Sequence, residues 1–500
     1  MAIKKYIADK DNTITNAFDL NLSTRATGSN MGAADILEVF SIYGQNTTSS
    51  IELSRALVQF PISDIISDRA AGTVPASGSV RFFLRMFNAR HSEQLPKEFT
   101  VNVMAVSASW QEGSGLDMES YTDKTKDSVE GSNWINRSQS TAWDKVGGDY
   151  HSSSYVAGTS MPNYTFTFND GAEDLLVDVT MAVEEWIAGE QSNYGFGVFL
   201  TSSFEGSSSF AAAADSGSVL HNPDGQTKSF YTKRFFSRSS EFFFKKPSIE
   251  ARWDSRVRDD RGNFYASSSL ATAADNLNNL YFYNYIRGRL VDIPHTETVT
   301  VNIYASEDDL PAGALLTSAA ASKTSTGTYR VELAVTTTAS ILHDVWSGSI
   351  GGEYKTGSLK IKSFNSASLL ADEYTNFVTK ITNLKSKYTK NEKARFRVFT
   401  RPRNFSPTIY TVASSDIEGE VIPSASYEVL RIVDEHTVIN NSTGSSTNHT
   451  YLSYDNSGSY FDLDMSLLEP GYMYGIKLAY HSSNDWREQE EVFKFRVEDN

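Results

Sequence analysis

Acid–base chemistry at neutral pH rests on histidine and on paired carboxylates. In this chain neither type falls into a catalytic spacing. The eight histidines are His91, His151, His221, His295, His343, His436, His449 and His481; none pairs at i, i+4 and none sits in a zinc-protease pattern. There is no Gly-x-Ser-x-Gly elbow and no phosphate-binding glycine loop. The pairs Glu184–Glu185 and Asp308–Asp309 are neighbours in sequence. A glycosidase needs two carboxylates facing each other across a sugar, which adjacent residues on a short helix or turn do not provide. These pairs read as solvated faces, and the sequence points away from an enzyme.

Recognition chemistry is better represented. Trp110, Trp134, Trp143 and Tyr150 lie in or beside one long polar insert. Trp134, in Gly-Ser-Asn-Trp-Ile-Asn, is the candidate aromatic platform for a sugar, with packing of the insert onto the body as the competing reading. Residues 231–261 form a basic, aromatic stretch. It holds Lys233, Arg234, Arg238, Lys245, Lys246, Arg252, Arg256, Arg258 and Arg261, interleaved with Phe235, Phe236, Phe242, Phe243, Phe244 and Trp253. Arginine and aromatic side chains are favoured at the centres of interfaces. The expected interface residues are Lys233, Arg234, Arg238, Phe242, Phe243 and Phe244. The alternative is a seam between domains of the same chain. A second basic run, from Lys385 to Arg403, reads as the outer face of a strand.

These residues sit in a chain of 500 residues with 45 Lys and Arg against 61 Asp and Glu, a formal net charge of −16. That balance disfavours sequence-independent nucleic-acid binding. The absence of cysteine rules out disulfides and thiolate metal sites, and it points to folding in a reducing cytoplasm. The N-terminal Met-Ala-Ile-Lys-Lys-Tyr-Ile-Ala-Asp-Lys has no apolar signal core. No run approaches the ~18 apolar residues of a membrane helix, so no membrane insertion is expected.

The positioning elements read almost entirely as strands. In the first part they fall at 36–42, 51–60, 80–87, 99–108, 164–168 and 194–201. One segment, 180–189, instead places Val183, Trp186 and Ile187 at helical spacing, with Thr180 to cap it and Gly189 to end it. Further strands are expected at 280–286, 298–304, 329–335 and 358–361, with 308–313 a turn and 317–328 small and polar. The last part places strands at 394–400, 426–432, 450–454, 460–463, 473–481 and 491–497. No heptads are sustained. The predicted fold is all-β, with units at 1–252, 253–382 and 383–500.

An ordered set of motifs runs through the first unit: Gly28-Ser29-Asn30-Met31-Gly32, Arg55-Ala56-Leu57-Val58-Gln59-Phe60, Trp110-Gln111-Glu112, Trp143, Leu176-Val177-Asp178-Val179-Thr180, Trp186, and Asn193-Tyr194-Gly195-Phe196-Gly197. In order and spacing this unit resembles the DNRLRE, or carbohydrate-binding-module-like, jelly-roll domains, with long inserts at 112–143 and 204–233. The resemblance makes Trp110 and Trp143 core residues. It implies no cofactor but permits a structural calcium near the N-terminus. Asp9, Asp11 and Asn12 are an oxygen-rich stretch there, and Asp178 lies on a late strand; turn and cap roles are the plainer reading. In the last unit, Leu468-Glu469-Pro470-Gly471-Tyr472-Met473-Tyr474 resembles the Leu-x-Pro-Gly-x-x-Tyr corner of fibronectin-III/Ig-like sandwiches. The implied order is a jelly-roll sandwich followed by two smaller sandwiches, the last of fibronectin-III/Ig type.

The whole chain also resembles structural proteins of marine tailed phages of the cyanophage kind. Ser132-Asn133-Trp134-Ile135-Asn136, Tyr231-Thr232-Lys233-Arg234-Phe235-Phe236 and Arg258-Asp259-Asp260-Arg261-Gly262-Asn263-Phe264-Tyr265 carry this resemblance. It implies a non-enzymatic virion component of the tail or neck, assembled in the host cytoplasm, with other virion proteins and copies of itself as partners. The alternative expectation is a receptor-recognition protein that binds host surface polysaccharide. A polysaccharide depolymerase is a third reading.

Overall fold

The computed structural model describes residues 2–43, 51–91, 95–118, 131–152, 154–208, 219–293, 298–307, 314–348, 352–362, 377–403, 409, 419–443, 448–482 and 485–499. Two compact units are present, Ala2–Trp253 and Asp254–Asn500. Strands dominate both, and the fold is all-β.

The first unit contains β1 (Ile3–Ile7), β2 (Lys10–Thr15), β3 (Ile36–Tyr43), β4 (Ile51–Gln59), α1 (Ile62–Ala70), β5 (Val80–Met86), β6 (Phe99–Ala105), β7 (Asn136–Ser138), β8 (Thr141–Ala142), β9 (Asn163–Phe168), β10 (Leu175–Asp178), α2 (Thr180–Ala188), β11 (Phe196–Leu200), β12 (Phe230–Phe236) and β13 (Ser248–Trp253). One sheet runs β1-β13-β5-β10, the other β12-β3-β4-β11-β6-β9 with β2 also on β4, and β7–β8 is a separate ribbon. This is a jelly-roll sandwich. Alternation supplies its main core: Ala56 and Val58, Val101 and Val103, and Phe196 and Val198 from the larger sheet pack with Phe82, Leu84, Ile249 and Ala251 from the smaller.

The opposite face of β4 is buried as well. Leu53 and Leu57 join Ile14, Val106, Trp110, Trp134 and Trp143 in a second core beneath the polar insert. Strand β4 is therefore buried on both faces. Leu53 belongs to one core and Ala56 and Val58 to the other, because side chains of opposite parity point to opposite faces. Trp110 and Trp143 are core residues, as the family resemblance implies.

Helix α2 matches the expected segment, and Val183 and Trp186 lie on its buried face. Gly189 ends it at φ 76°. Thr180 does not cap it, because Val179 holds that position and the Thr180 hydroxyl serves Asp178 Oδ1 and the Phe82 amide instead. Helix α1 was not expected.

The second unit holds two sandwiches. In the first of these, Asn278–Tyr283, Thr328–Leu333 and Ser322–Ser325 form one sheet, and Leu315–Ala320, Val299–Tyr304, Ile341–Gly348 and Gly352–Lys360 the other. Phe264, Phe282, Val301, Val331, Leu342 and Trp346 fill it. The polar run 317–328 is thus largely strand, at the sheet edges. The turn expected at 308–313 lies outside the described residues. A two-stranded hairpin, Tyr285–Ile286 with Arg289–Leu290, is paired to neither sheet.

The last sandwich pairs a sheet of Phe377–Ile381, Lys393–Pro402, Gly458–Asp464 and Ser453–Asp455 with one of Lys387–Thr389, Phe493–Glu498, Met473–Ser482, Ala425–Arg431 and His436–Ile439. Read in chain order these are A-B-E-D facing A′-G-F-C-C′, the fibronectin-III/Ig arrangement, with Lys387–Thr389 running parallel to the final strand. The rings of Tyr427, Phe461 and Phe396 stack in series through its centre, and that of Phe495 lies tilted against Phe396.

Candidate functional site

Strands β3 and β12 pair antiparallel at the margin of the larger sheet of the first unit, with Phe236 opposite Ile36, Arg234 opposite Glu38 and Thr232 opposite Phe40. These side chains alternate with buried Val39, Lys233 and Phe235, so they form the outer face of the ladder. Arg234 Nε donates to Glu38 Oε1 at 2.5 Å, and both side chains remain about one-third exposed (39% and 32%). Behind them lies a groove of about 460 Å³. Its floor is Ile36, Glu38, Phe40 and Arg234; its walls are Met31, Ala34, Asp35 and the segment Leu116, Asp117 and Met118. Three carboxylates and one guanidinium share it with methionine and leucine surface. On the far edge of β12, the Arg234 amide donates to His91 Nε2 at 3.1 Å. Burial, then the charges of Arg234 and Lys233, hold the His91 imidazole down to about 4, so it is a neutral acceptor at neutral pH.

Phe236 extends this face. Its ring meets that of Phe242 edge-on at 5.2 Å, and Lys245 Nζ lies 4.9 Å and 5.4 Å from the two centroids. Phe242 is 47% exposed, whereas Phe244 is buried and packs edge-on against half-buried Phe243. Of the six residues expected at an interface, Arg234, Arg238 and Phe242 present substantial surface.

Lys233 is a correction. It points inward and is fully buried, with Nζ donating to Asn88 Oδ1, Gly171 O and Glu173 O, each at 2.7 Å, and lying 4.4 Å from the Phe168 centroid. Burial lowers its ammonium to about 8 against the pull of Glu173 and Asp174. Three carbonyl-type acceptors replace its water, which makes this lysine an internal tie rather than a contact residue. Arg238 is also engaged internally. Its guanidinium forms a fork with Glu112 at 2.6 Å on both arms, and its amide donates to Asp11 Oδ2 at 2.6 Å. Farther along the stretch, Arg256 holds Asp254 and lies over Tyr451, and Arg261 makes a bidentate pair with fully buried Asp344. Much of the local positive charge is thus consumed inside the chain.

Trp134 is a second correction. It is completely buried, with Gly147 against its six-membered ring and the Arg55 guanidinium 5.6 Å from its centroid. At Gly147 an added Cβ would come within 2.9 Å of the indole. No ring face is left for a sugar, because the insert folds down onto β4.

The oxygen-rich N-terminal stretch does not fit calcium. Arg238 already neutralises Glu112 and occupies one oxygen of Asp11, Oδ2, through its amide. Asn12 spends its amide on Ser132 and its Oδ1 on the Met31 amide. Asp178 lies in the other sheet, paired with Arg81. Among the described residues no three His, Asp or Glu side chains gather as a metal site, and no helix is long and apolar enough to cross a membrane.

No family model and no curated protein matches the chain. Among solved structures it is similar to fibronectin(III)-like modules of Clostridium thermocellum CbhA, at 13% identity over 49% of this chain and 93% of that one, with a TM-score of 0.15. It is also similar to the chicken CNTN1 FN1-FN3 domains, at 9% identity over 55% of this chain and 83% of that one, with a TM-score of 0.16. Likenesses this weak carry no argument about activity.

Proposed function

We propose that the chain is a non-enzymatic structural component of a tailed-phage particle, placed in the tail or neck, that acts by protein–protein assembly. The observation that supports this most directly is the outer face of the β3–β12 ladder. There Arg234 lines an acidic, methionine-bearing groove, and the Phe236, Phe242 and Lys245 cluster continues the same face of β12, while the neighbouring charges are satisfied internally. A partly exposed arginine beside aromatic rings is the composition of an interface centre. The glycan-binding alternative loses its platform with the burial of Trp134.

The test is incorporation. Antibody raised against the chain should decorate intact particles at one fixed place in the tail or neck. Arg234→Glu with Phe242→Ser should reduce incorporation of a chain that still melts normally. Arg238 is unsuitable for this purpose because its loss would also free Asp11 and Glu112. Purified particles that lack the chain would overturn the assignment.

A further inference from the structure

The hairpin in the first sandwich of the second unit is built to be covered. Tyr285 pairs with Leu290 and Ile286 with Arg289 around Arg287-Gly288, whose φ values of 51° and 78° suit a tight two-residue turn. Its root is fixed. Val291 N donates to Asn284 O at 3.0 Å and Asn284 Nδ2 to Val291 O at 2.7 Å. Asp292 accepts from the Gly327 amide at 2.7 Å and pairs with Lys323 at 2.6 Å.

Beyond that root every residue from 285 to 292 is exposed. Tyr285 is 62% exposed, Ile286 52%, Val291 37% and Leu290 36%. Single exposed apolar residues are ordinary, but here directly paired Tyr285 and Leu290 share one face of a ribbon with no core of its own, and Ile286 lies on the other face opposite Arg289. The only charges between 284 and 291 are Arg287 and Arg289, in a chain whose net charge is −16.

The groove at Arg234 carries the complementary chemistry. Asp35 and Asp117 stand on its walls, Glu38 on its floor, and Met31, Leu116 and Met118 offer adaptable apolar surface. We propose that the 285–291 hairpin of one copy inserts into the Arg234–Glu38 groove of the next copy. Arg287 and Arg289 meet Asp35 and Asp117, and the Tyr285–Leu290 face of the hairpin lies on the methionine-bearing wall. This deepens the assembly reading above and rests on it. Donor and acceptor are different patches, so the contact is head-to-tail. Each copy keeps one hairpin and one groove, and successive copies close into a ring or extend as a filament.

Charge exchange tests the contact. Sedimentation of the purified full-length chain should show self-association that weakens with added salt. Arg287→Glu with Arg289→Glu should weaken association at least tenfold, and so should Asp35→Lys with Asp117→Lys, each with unchanged melting. Mixing the two variants should restore association with the two chains alternating in equal numbers, because the reversed hairpin meets the reversed groove and the unaltered hairpin of one variant meets the unaltered groove of the other. A wild-type chain that stays monomeric at its solubility limit would overturn the proposal, as would a mixture of the variants that fails to associate. These readouts are independent of particle incorporation. Normal incorporation of both variants would remove the hairpin contact and leave the assembly role standing. Restored pairing by a chain absent from particles would do the reverse.

Discussion

The Tyr474 hydroxyl donates to the backbone oxygen of Glu469, five residues upstream, at 2.7 Å, and its ring is fully buried. This is the tyrosine corner of a fibronectin-III/Ig sandwich: Tyr474 near the start of the F strand ties down the Leu468–Gly471 approach to it. Tyr474→Phe keeps the packing and leaves the Glu469 carbonyl without this donor. The second unit should lose about 1–2 kcal/mol, read as a lower urea midpoint with unchanged slope. An unchanged midpoint would show that the corner contributes nothing to stability.

Trp186 is the heaviest residue on the buried face of α2. It is 4% exposed, with its ring 4.8 Å from that of Phe196 on β11. Trp186→Ala removes a ring that bridges helix and sheet, and it should destabilise the first unit by about 3–5 kcal/mol. A differential scanning profile in which no transition moves would contradict this packing.

Periodicity exposed the elements, but not what they meet. Helix α2 was legible because Val183, Trp186 and Ile187 recur at helical spacing before a glycine. Helix α1 carries the same signal in Ile62, Ile65 and Ile66 after Pro61, and it was hidden only by the strands on either side. The corner was legible because its residues are contiguous. Lys233 and Trp134 were not, because their burial depends on residues distant in sequence. Asn88, Gly171 and Glu173 make a lysine admissible inside, and the fold of the insert over β4 decides that Trp134 faces inward. Arg234 and Phe242 were singled out by composition, yet the groove beside them needs β2, β3 and the 116–118 wall together.

Glu250 on β13 is 2% exposed and faces three cations: Lys5 at 3.3 Å, Arg85 at 3.2 Å, and the Arg252 Nε at 3.0 Å. Burial alone pushes its carboxyl up. Lys5, Arg252 and Arg85 outweigh burial and hold it well below the usual carboxylate range. A depressed folded-state value means stability that is present above the unfolded value near 4.5 and lost as pH falls below it. Glu250→Gln leaves three cations without their anion and should cost about 3–5 kcal/mol at neutral pH. It should also flatten the loss of stability of the first unit in acid. Urea unfolding at neutral and acid pH reads both effects, and a variant that retains the wild-type acid limb would place that limb elsewhere.

Asp11 predicts the opposite dependence. Burial, and then the neighbouring Glu112 carboxylate, lift it from 3.8 to about 7, against the Arg238 amide and guanidinium that favour its charge. Its Oδ2 accepts from the Arg238 amide, while Oδ1 has no hydrogen-bond partner among the described residues. A folded-state value above the unfolded one means that the native chain keeps a proton the unfolded chain has released. Between pH 3.8 and about 7 this residue therefore lowers stability as pH rises, by at most about 1.4 kcal/mol per pH unit, and the penalty is constant above that window. Asp11→Asn imitates the protonated side chain. It keeps an acceptor for the Arg238 amide and removes a negative charge from beside Glu112. The variant should match wild type at about pH 3.8 and below, exceed it at pH above 7, and show a flatter decline between those limits. Thermal unfolding across that range measures the difference. An asparagine variant that is weaker than wild type in alkali would mean that the native chain stabilises the ionised Asp11 carboxylate, through Arg238, instead of penalising it.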